Sequence, residues 1–239
     1  PFCNIYSTFM QRAYDNVIHD VAIQGLPVVM CLDRGGLVGE DGVTHHGVFD
    51  MAAFGAVPGL TVAAPMNEPE LRNMMWTGLQ AGAPFMIRYP RGLGEGLPWR
   101  GLPFETLPVG RGRRLREGRD VALVTVGTVG NAAARAAERA AAQGVEAAHY
   151  DLRWVKPLDT ELLDEVGRTF RRVITVEDGC LRGGVGEAVA AYFNARGYDA
   201  HVTCLGIGDA WVEHGTPEQL HALCGYDEES ILRALTQPV

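Results

Sequence analysis

Pro27 to Leu32 is an unbroken apolar run of strand length, and Asp33-Arg34-Gly35-Gly36-Leu37-Val38-Gly39-Glu40-Asp41-Gly42-Val43-Thr44-His45-His46-Gly47 follows it at once. A strand that is apolar on both faces must be covered on both, as in a parallel sheet flanked by helices. In open sheets of that kind, ligands gather beyond the carboxyl ends of the strands. The glycine-rich segment therefore stands where a site would form. Its glycines let the backbone approach a ligand closely, and two histidines can exchange protons near neutral pH. Adjacent histidines point apart and no third ligand is spaced to join them, so a metal is not expected on this loop.

The flanking residues extend the pattern. Met10, Ala13, Tyr14, Val17, Ile18 and Val21 follow helical spacing, up to a stop at Gly25 and Pro27. Leu60 to Ala64 and Pro84 to Tyr89 read as further strands, and Asn67 with Glu70 three positions on opens a helix to about Gly78. Residues 90 to 119 then turn proline- and glycine-rich and end in Arg111, Arg113, Arg114, Arg116 and Arg119. This stretch reads as an interdomain linker with a solvated arginine face. Beyond it, Val121 to Val126, Val145 to Tyr150 and Val173 to Val176 read as strands, and 129–143 as an alanine-rich helix closed by Gly144. Thr216-Pro217-Glu218-Gln219 is a strong helix start. Gly127-Thr128-Val129-Gly130-Asn131 reads as a tight turn that could also receive an anion. Alternating strands and helices predict an α/β fold of two doubly wound domains. The expected division is 1–105, with the linker from about 90, and 106–239.

Composition removes several functions. A net charge of −8 lacks the basic excess of a nucleic-acid surface. No apolar run approaches the ~20 residues that span a bilayer. Five scattered cysteines without a CxxC pair predict a reducing, cytoplasmic setting. Pro1 is not an initiator methionine and leads straight into Phe2-Cys3-Asn4-Ile5-Tyr6, a strand-like segment, which predicts a piece of a longer chain.

Arg88-Tyr89-Pro90-Arg91-Gly92 ends the third strand at the same sheet edge as the glycine-rich loop. A guanidinium there suits an anion, and Arg91 reads equally as an anion contact or as a surface arginine. Arg34, at the end of a neighbouring strand, adds the second cation that a dianionic phosphate commonly needs.

Taken in register, six segments resemble the 1-deoxy-D-xylulose-5-phosphate synthase family, thiamine-diphosphate enzymes of the transketolase class. They are Ile5 to Asp15, Asp33 to Gly47, Arg88 to Gly92, Val155-Lys156-Pro157-Leu158-Asp159, Val176-Glu177-Asp178-Gly179 with Gly183 to Gly186, and Leu205 to Asp209 leading into His214-Gly215-Thr216. Singly each is weak; together they cover essentially the whole chain.

The resemblance implies the C-terminal half of an enzyme that condenses pyruvate with glyceraldehyde 3-phosphate, releasing carbon dioxide, for isoprenoid precursors, thiamine and pyridoxal. It implies a pyrimidine-binding-type domain, incomplete at its N-terminus, and a transketolase C-terminal-type domain. By the same resemblance Phe9 would stack on the aminopyrimidine of thiamine diphosphate, with Arg12 near that pocket. On the residues alone, Phe9 reads as well as core and Arg12 as a solvent-facing helical arginine. Arg34 and Arg91 would grip the acceptor phosphate, with Tyr6 lining the pocket. His45 would move protons, Asp41 would orient it or bind a substrate hydroxyl, and His46 would support them. The activating glutamate, the diphosphate-binding domain and the Mg2+ ligands would precede Pro1, so the chain would need that N-terminal part and a homodimeric partner. The chain alone would be inactive. Two alternatives remain: a β-type subunit of a 2-oxoacid dehydrogenase, and a non-catalytic dimerisation or interaction module.

Overall fold

A computed structural model describes residues 1–237. In chain order the first half contains β1 (Phe2–Tyr6), α1 (Ser7–Met10), α2 (Tyr14–Asn16), β2 (Val29–Asp33), α3 (Asp50–Gly55), β3 (Thr61–Ala63), α4 (Glu68–Gln80) and β4 (Phe85–Arg88). The second half contains β5 (Arg113–Arg116), β6 (Val121–Val126), α5 (Val129–Ala141), β7 (Ala147–Asp151), β8 (Trp154–Lys156), α6 (Thr160–Thr169), β9 (Arg172–Cys180), α7 (Val185–Arg196), β10 (His201–Ile207), α8 (Pro217–Cys224) and α9 (Glu228–Thr236).

Two five-stranded sheets result, in the orders β1-β2-β4-β3-β8 and β10-β9-β6-β7-β5. Each is four parallel strands closed by one antiparallel edge strand, β8 on the first and β5 on the second. The doubly wound expectation shows in the side chains of β2. Met30 and Leu32 pack with Met10, Val17 and Phe54, whereas Val29 and Cys31 pack on the opposite face with Met74. In β6, Val121 and Leu123 join one core, Ala122 and Val124 the other. Burying side chains of this size on both faces is worth about 1.5–3 kcal/mol each, which commits these runs to the sheet interior.

The predicted helix starts follow the chemistry expected of them. The Asn67 side chain accepts from the Glu70 N–H at 3.1 Å, and Thr216 and Gln219 form a reciprocal capping box. The helix expected before Gly25 changes pitch along its length, from α1 through a 3-10 turn at Gln11–Ala13 and α2 to a π-helix at Val17–Ala22. Its apolar residues nevertheless stay together on one core face.

One expectation is corrected. The linker does not run to 119, because Arg113–Arg116 is the β5 edge strand. The arginines of this stretch lie on a solvated face and pair there with acids: Arg111 meets Glu161, Arg114 meets Glu165, and Arg116 meets Glu146. The second half also lends a strand to the first sheet. Trp154–Lys156, from the second half, pairs with β3 as the outer strand of the first sheet. Trp154 is fully buried there, edge-on to Phe85 with ring centroids 5.9 Å apart.

The two halves meet along a polar seam. Glu70 of α4 accepts from Arg153 at 2.8 and 2.9 Å and from Arg113 at 3.0 Å, and Arg113 also reaches Asp151. The Gly127–Asn131 turn belongs to this seam, with the Asn131 amide donating to the Met66 carbonyl at 2.8 Å.

Candidate active site

The loop after β2 is cinched at its neck. Gly36 and Gly47 exchange backbone hydrogen bonds of 2.7 and 2.8 Å, so residues 37–46 leave and return at one point. Glycine is required at Gly47, where an added Cβ would lie 2.2 Å from the Arg34 carbonyl and 2.6 Å from Ser7.

Four of the predicted residues form one row beside this neck. The Arg34 guanidinium lies 3.7 Å above the centre of the Tyr6 ring. Tyr6 stacks on Phe9 at 5.1 Å and 18°. Phe9 meets the edge of His45 at 5.6 Å and 63°. Arg34 is held in the left-handed region (φ 58°), and its Nη1 donates to Asp33 at 3.0 Å. The Arg34 Nε and Asp33 Oδ1 are buried and make no hydrogen bond among the described residues. Phe9 is 47% exposed, so about half of this residue remains accessible to a ligand.

Asp41 and Arg91 form a separate pair at 2.7 Å, both partly exposed. The expected Asp41–His45 contact is not made, because Thr44 Oγ1 takes His45 Nδ1 at 2.9 Å and the Asp41 carboxylate faces Arg91. His45 Nε2 makes no hydrogen bond among the described residues.

His46 is placed differently from its neighbour. It is 4% exposed. Its Nδ1 accepts the Val38 N–H at 3.1 Å, which puts the proton of the neutral ring on Nε2, facing the Glu213 carbonyl at 3.3 Å. With both nitrogens engaged, His46 ties the loop to itself and to the second half. Arg12 lies apart from the row, exposed on its 3-10 turn and without an ion pair among the described residues.

Sequence reasoning missed the charges beneath this surface. Arg88 and Asp50 are both buried, with Nε to Oδ2 at 3.1 Å. Ser7 donates to the same oxygen at 2.9 Å, and Arg88 also donates to the Asp178 carbonyl at 2.9 Å. Burial works against charge on Arg88, but Asp50 and Asp178 outweigh it, so the group stays protonated. The signal was an arginine inside the apolar run Pro84–Tyr89, where an ion must carry its own partner.

The transketolase pyrimidine-binding domain family matches residues 1–95, and the transketolase C-terminal domain family matches residues 110–231. The 1-deoxy-D-xylulose-5-phosphate synthases of Bacteroides fragilis and Bacteroides thetaiotaomicron are each 56% identical, over 99% and 98% of this chain. That of Carboxydothermus hydrogenoformans is 45% identical over 97%. This chain spans 37%, 36% and 37% of those proteins' lengths. Among solved structures, a split-gene transketolase in an inactive β4 tetramer superposes with a TM-score of 0.84 at 27% identity, covering 98% of this chain and 74% of that one. With both domain families matched in order and 1-deoxy-D-xylulose-5-phosphate synthases similar across nearly its whole length, the chain belongs to the transketolase family.

Proposed function

We propose that this chain supplies the pyrimidine-side and acceptor-side walls of a 1-deoxy-D-xylulose-5-phosphate synthase active site, in an enzyme that joins pyruvate to glyceraldehyde 3-phosphate with loss of carbon dioxide. The observation that carries this reading is the row Arg34–Tyr6–Phe9–His45, which sets a cation, a half-exposed aromatic ring and an imidazole side by side.

Thiamine diphosphate fits this surface, since Phe9 offers a half-exposed ring for an aminopyrimidine. When bound, the cofactor supplies the electron sink for decarboxylation. The chain's own residues do the rest. Phe9 orients the ring by stacking. Arg34 and Arg91, the latter able to exchange Asp41 for a ligand, receive the acceptor phosphate. His45 moves a proton through Nε2 while Thr44 fixes its other nitrogen.

No group of three ligating side chains is present among the described residues. Magnesium and the diphosphate are assigned to the remainder of the enzyme, as is the activating glutamate. The split-gene transketolase neighbour is an inactive β4 tetramer, which supports self-association for this chain and inactivity without that remainder. No described helix is long and apolar enough to cross a membrane.

The test is His45→Ala in the enzyme that contains this chain. A positioned acid–base group contributes about 10²–10⁴-fold, so kcat should fall by that factor with thiamine diphosphate affinity little changed. A near-normal kcat would overturn the role of His45. Absence of acceptor-dependent carbon dioxide release in the unmutated enzyme would overturn the function.

A further inference from the structure

The glycine-rich loop grows out of the first sheet, but much of what holds it comes from the second half of the chain. Asp178, near the end of β9, is 4% exposed. Its Oδ1 accepts the Leu37 N–H at 3.1 Å and the Tyr226 hydroxyl at 2.7 Å. Its other oxygen fills the space where Gly36 has no side chain, and a Cβ there would fall 1.7 Å from it. The Asp178 carbonyl takes Arg88 Nη2, which also reaches the Gly47 carbonyl at 3.4 Å. Both strands of the neck, Gly36-Leu37 and Gly47, are thus held through one residue of the second half. Around it, the Cys180 N–H donates to the Val48 carbonyl at 2.9 Å, and His46 reaches Glu213. Tyr226 is itself buried. Burial first, and then the Asp178 carboxylate, push its phenol well above the usual range, so it remains a donor.

We propose that Asp178, oriented by Tyr226, is a positioning residue for the active site: it fixes the loop neck and thereby the placement of Arg34 and His45. A carboxylate in this place suits the task. Its two lone-pair directions at Oδ1 serve a backbone donor from one half and a phenol from the other, and its charge faces buried Arg88. The second half then has a defined part in the site without touching substrate. This rests on the function proposed above, and its test includes a readout independent of that function.

Three variants test it: Asp178→Ala removes both acceptor bonds, Asp178→Asn keeps an Oδ1 acceptor in the same place, and Tyr226→Phe removes one hydroxyl. In the 239-residue chain, amide hydrogen exchange is followed at Leu37 and Val38, with β6 amides as the fold control. A lost bond to a charged acceptor corresponds to roughly ten- to a hundredfold faster exchange. That increase is expected at the neck in Asp178→Ala, with less in Tyr226→Phe and little in Asp178→Asn. In the complete enzyme, small displacements far from the chemistry can cost about a hundredfold. Asp178→Ala should therefore lower kcat and raise the acceptor KM, while thiamine diphosphate affinity holds and Asp178→Asn restores most of the rate. A merely structural residue would lower the folded fraction and leave both KM values unchanged. That result, or unchanged neck exchange in Asp178→Ala and Tyr226→Phe, would overturn the proposal. If Asp178→Ala does not fold, Tyr226→Phe decides by the same two readouts. If the enzyme lacks the proposed activity altogether, the exchange data still decide whether Asp178 holds the neck.

Discussion

Arg91 and Arg113 bracket the same irregular stretch of chain, yet they live in opposite electrostatic settings. Arg91 shares one carboxylate, that of Asp41, and the two side chains are 44% and 38% exposed. Arg113 lies between Glu70 and Asp151, whose side chains are 8% and 0% exposed, and Arg153 adds a second cation to Glu70. Exposed pairs are worth about 0–1 kcal/mol and exchange partners readily. A buried pair cannot lose one member without leaving an uncompensated charge. The difference separates an arginine whose exposed partner can be exchanged for another anion from arginines that hold the two halves together.

The seam should give the largest response. Glu70→Ala leaves Arg113 with only Asp151 and Arg153 without a carboxylate partner, and removing one member of a buried pair costs about 3–5 kcal/mol. The low end is expected here, because both arginines keep some access to solvent. Urea denaturation measures it, and a loss below about 1 kcal/mol would break the comparison.

The next response is to pH. Burial, and then Arg113, pull the His149 imidazole from its ordinary 6.5 down to about 4. Folded His149 stays neutral while the unfolded chain binds a proton below 6.5. Its contribution is therefore full above pH 6.5 and disappears as pH falls towards 4. The 2.5-unit gap corresponds to about 3 kcal/mol. Glu177 runs the other way: burial raises it from 4.5 to about 7, against the N–H donors of Gly186 and Val185, so its stabilisation is lost as pH rises through that range. Comparing the unfolding free energy of the unmutated chain with that of His149→Gln between pH 4 and 7 isolates the histidine. Parallel curves would exclude it.

Arg91→Ala is the smallest change in energy and the sharpest contrast. Loss of a charge-assisted contact of about 1.5–3 kcal/mol should raise the acceptor KM roughly ten- to over a hundredfold. Pyruvate's KM should hardly move, and stability should stay within about 0.5 kcal/mol. Equal effects on both substrates would remove Arg91 from the phosphate site.

What was legible in the sequence follows from where the energy lies. Val29–Asp33, Phe85–Arg88 and Val121–Val126 announce themselves because strands covered on both faces must be continuously apolar. Asn67 and Thr216 announce helices through local hydrogen bonds. The glycine-rich loop was visible because backbone geometry near Gly36 and Gly47 admits no side chain. Arg88–Asp50 and Asp178–Leu37 were not visible, since each joins residues 38 and 141 positions apart and no short window contains both. The Asp41–Arg91 pair was hidden for the same reason: its members lie 50 residues apart. β8 escaped notice because three residues carry no period, and their partner strand belongs to the other half of the chain.

That short strand bears on how such a molecule can be inherited. Without Trp154–Lys156, β3 would be a bare sheet edge, and bare edges recruit strands from other molecules. A gene rearrangement that cut the proline-rich stretch would strip the first sheet of its border and strand a buried tryptophan on the other product. The two halves look like separable modules in linear order, yet in three dimensions they share a sheet.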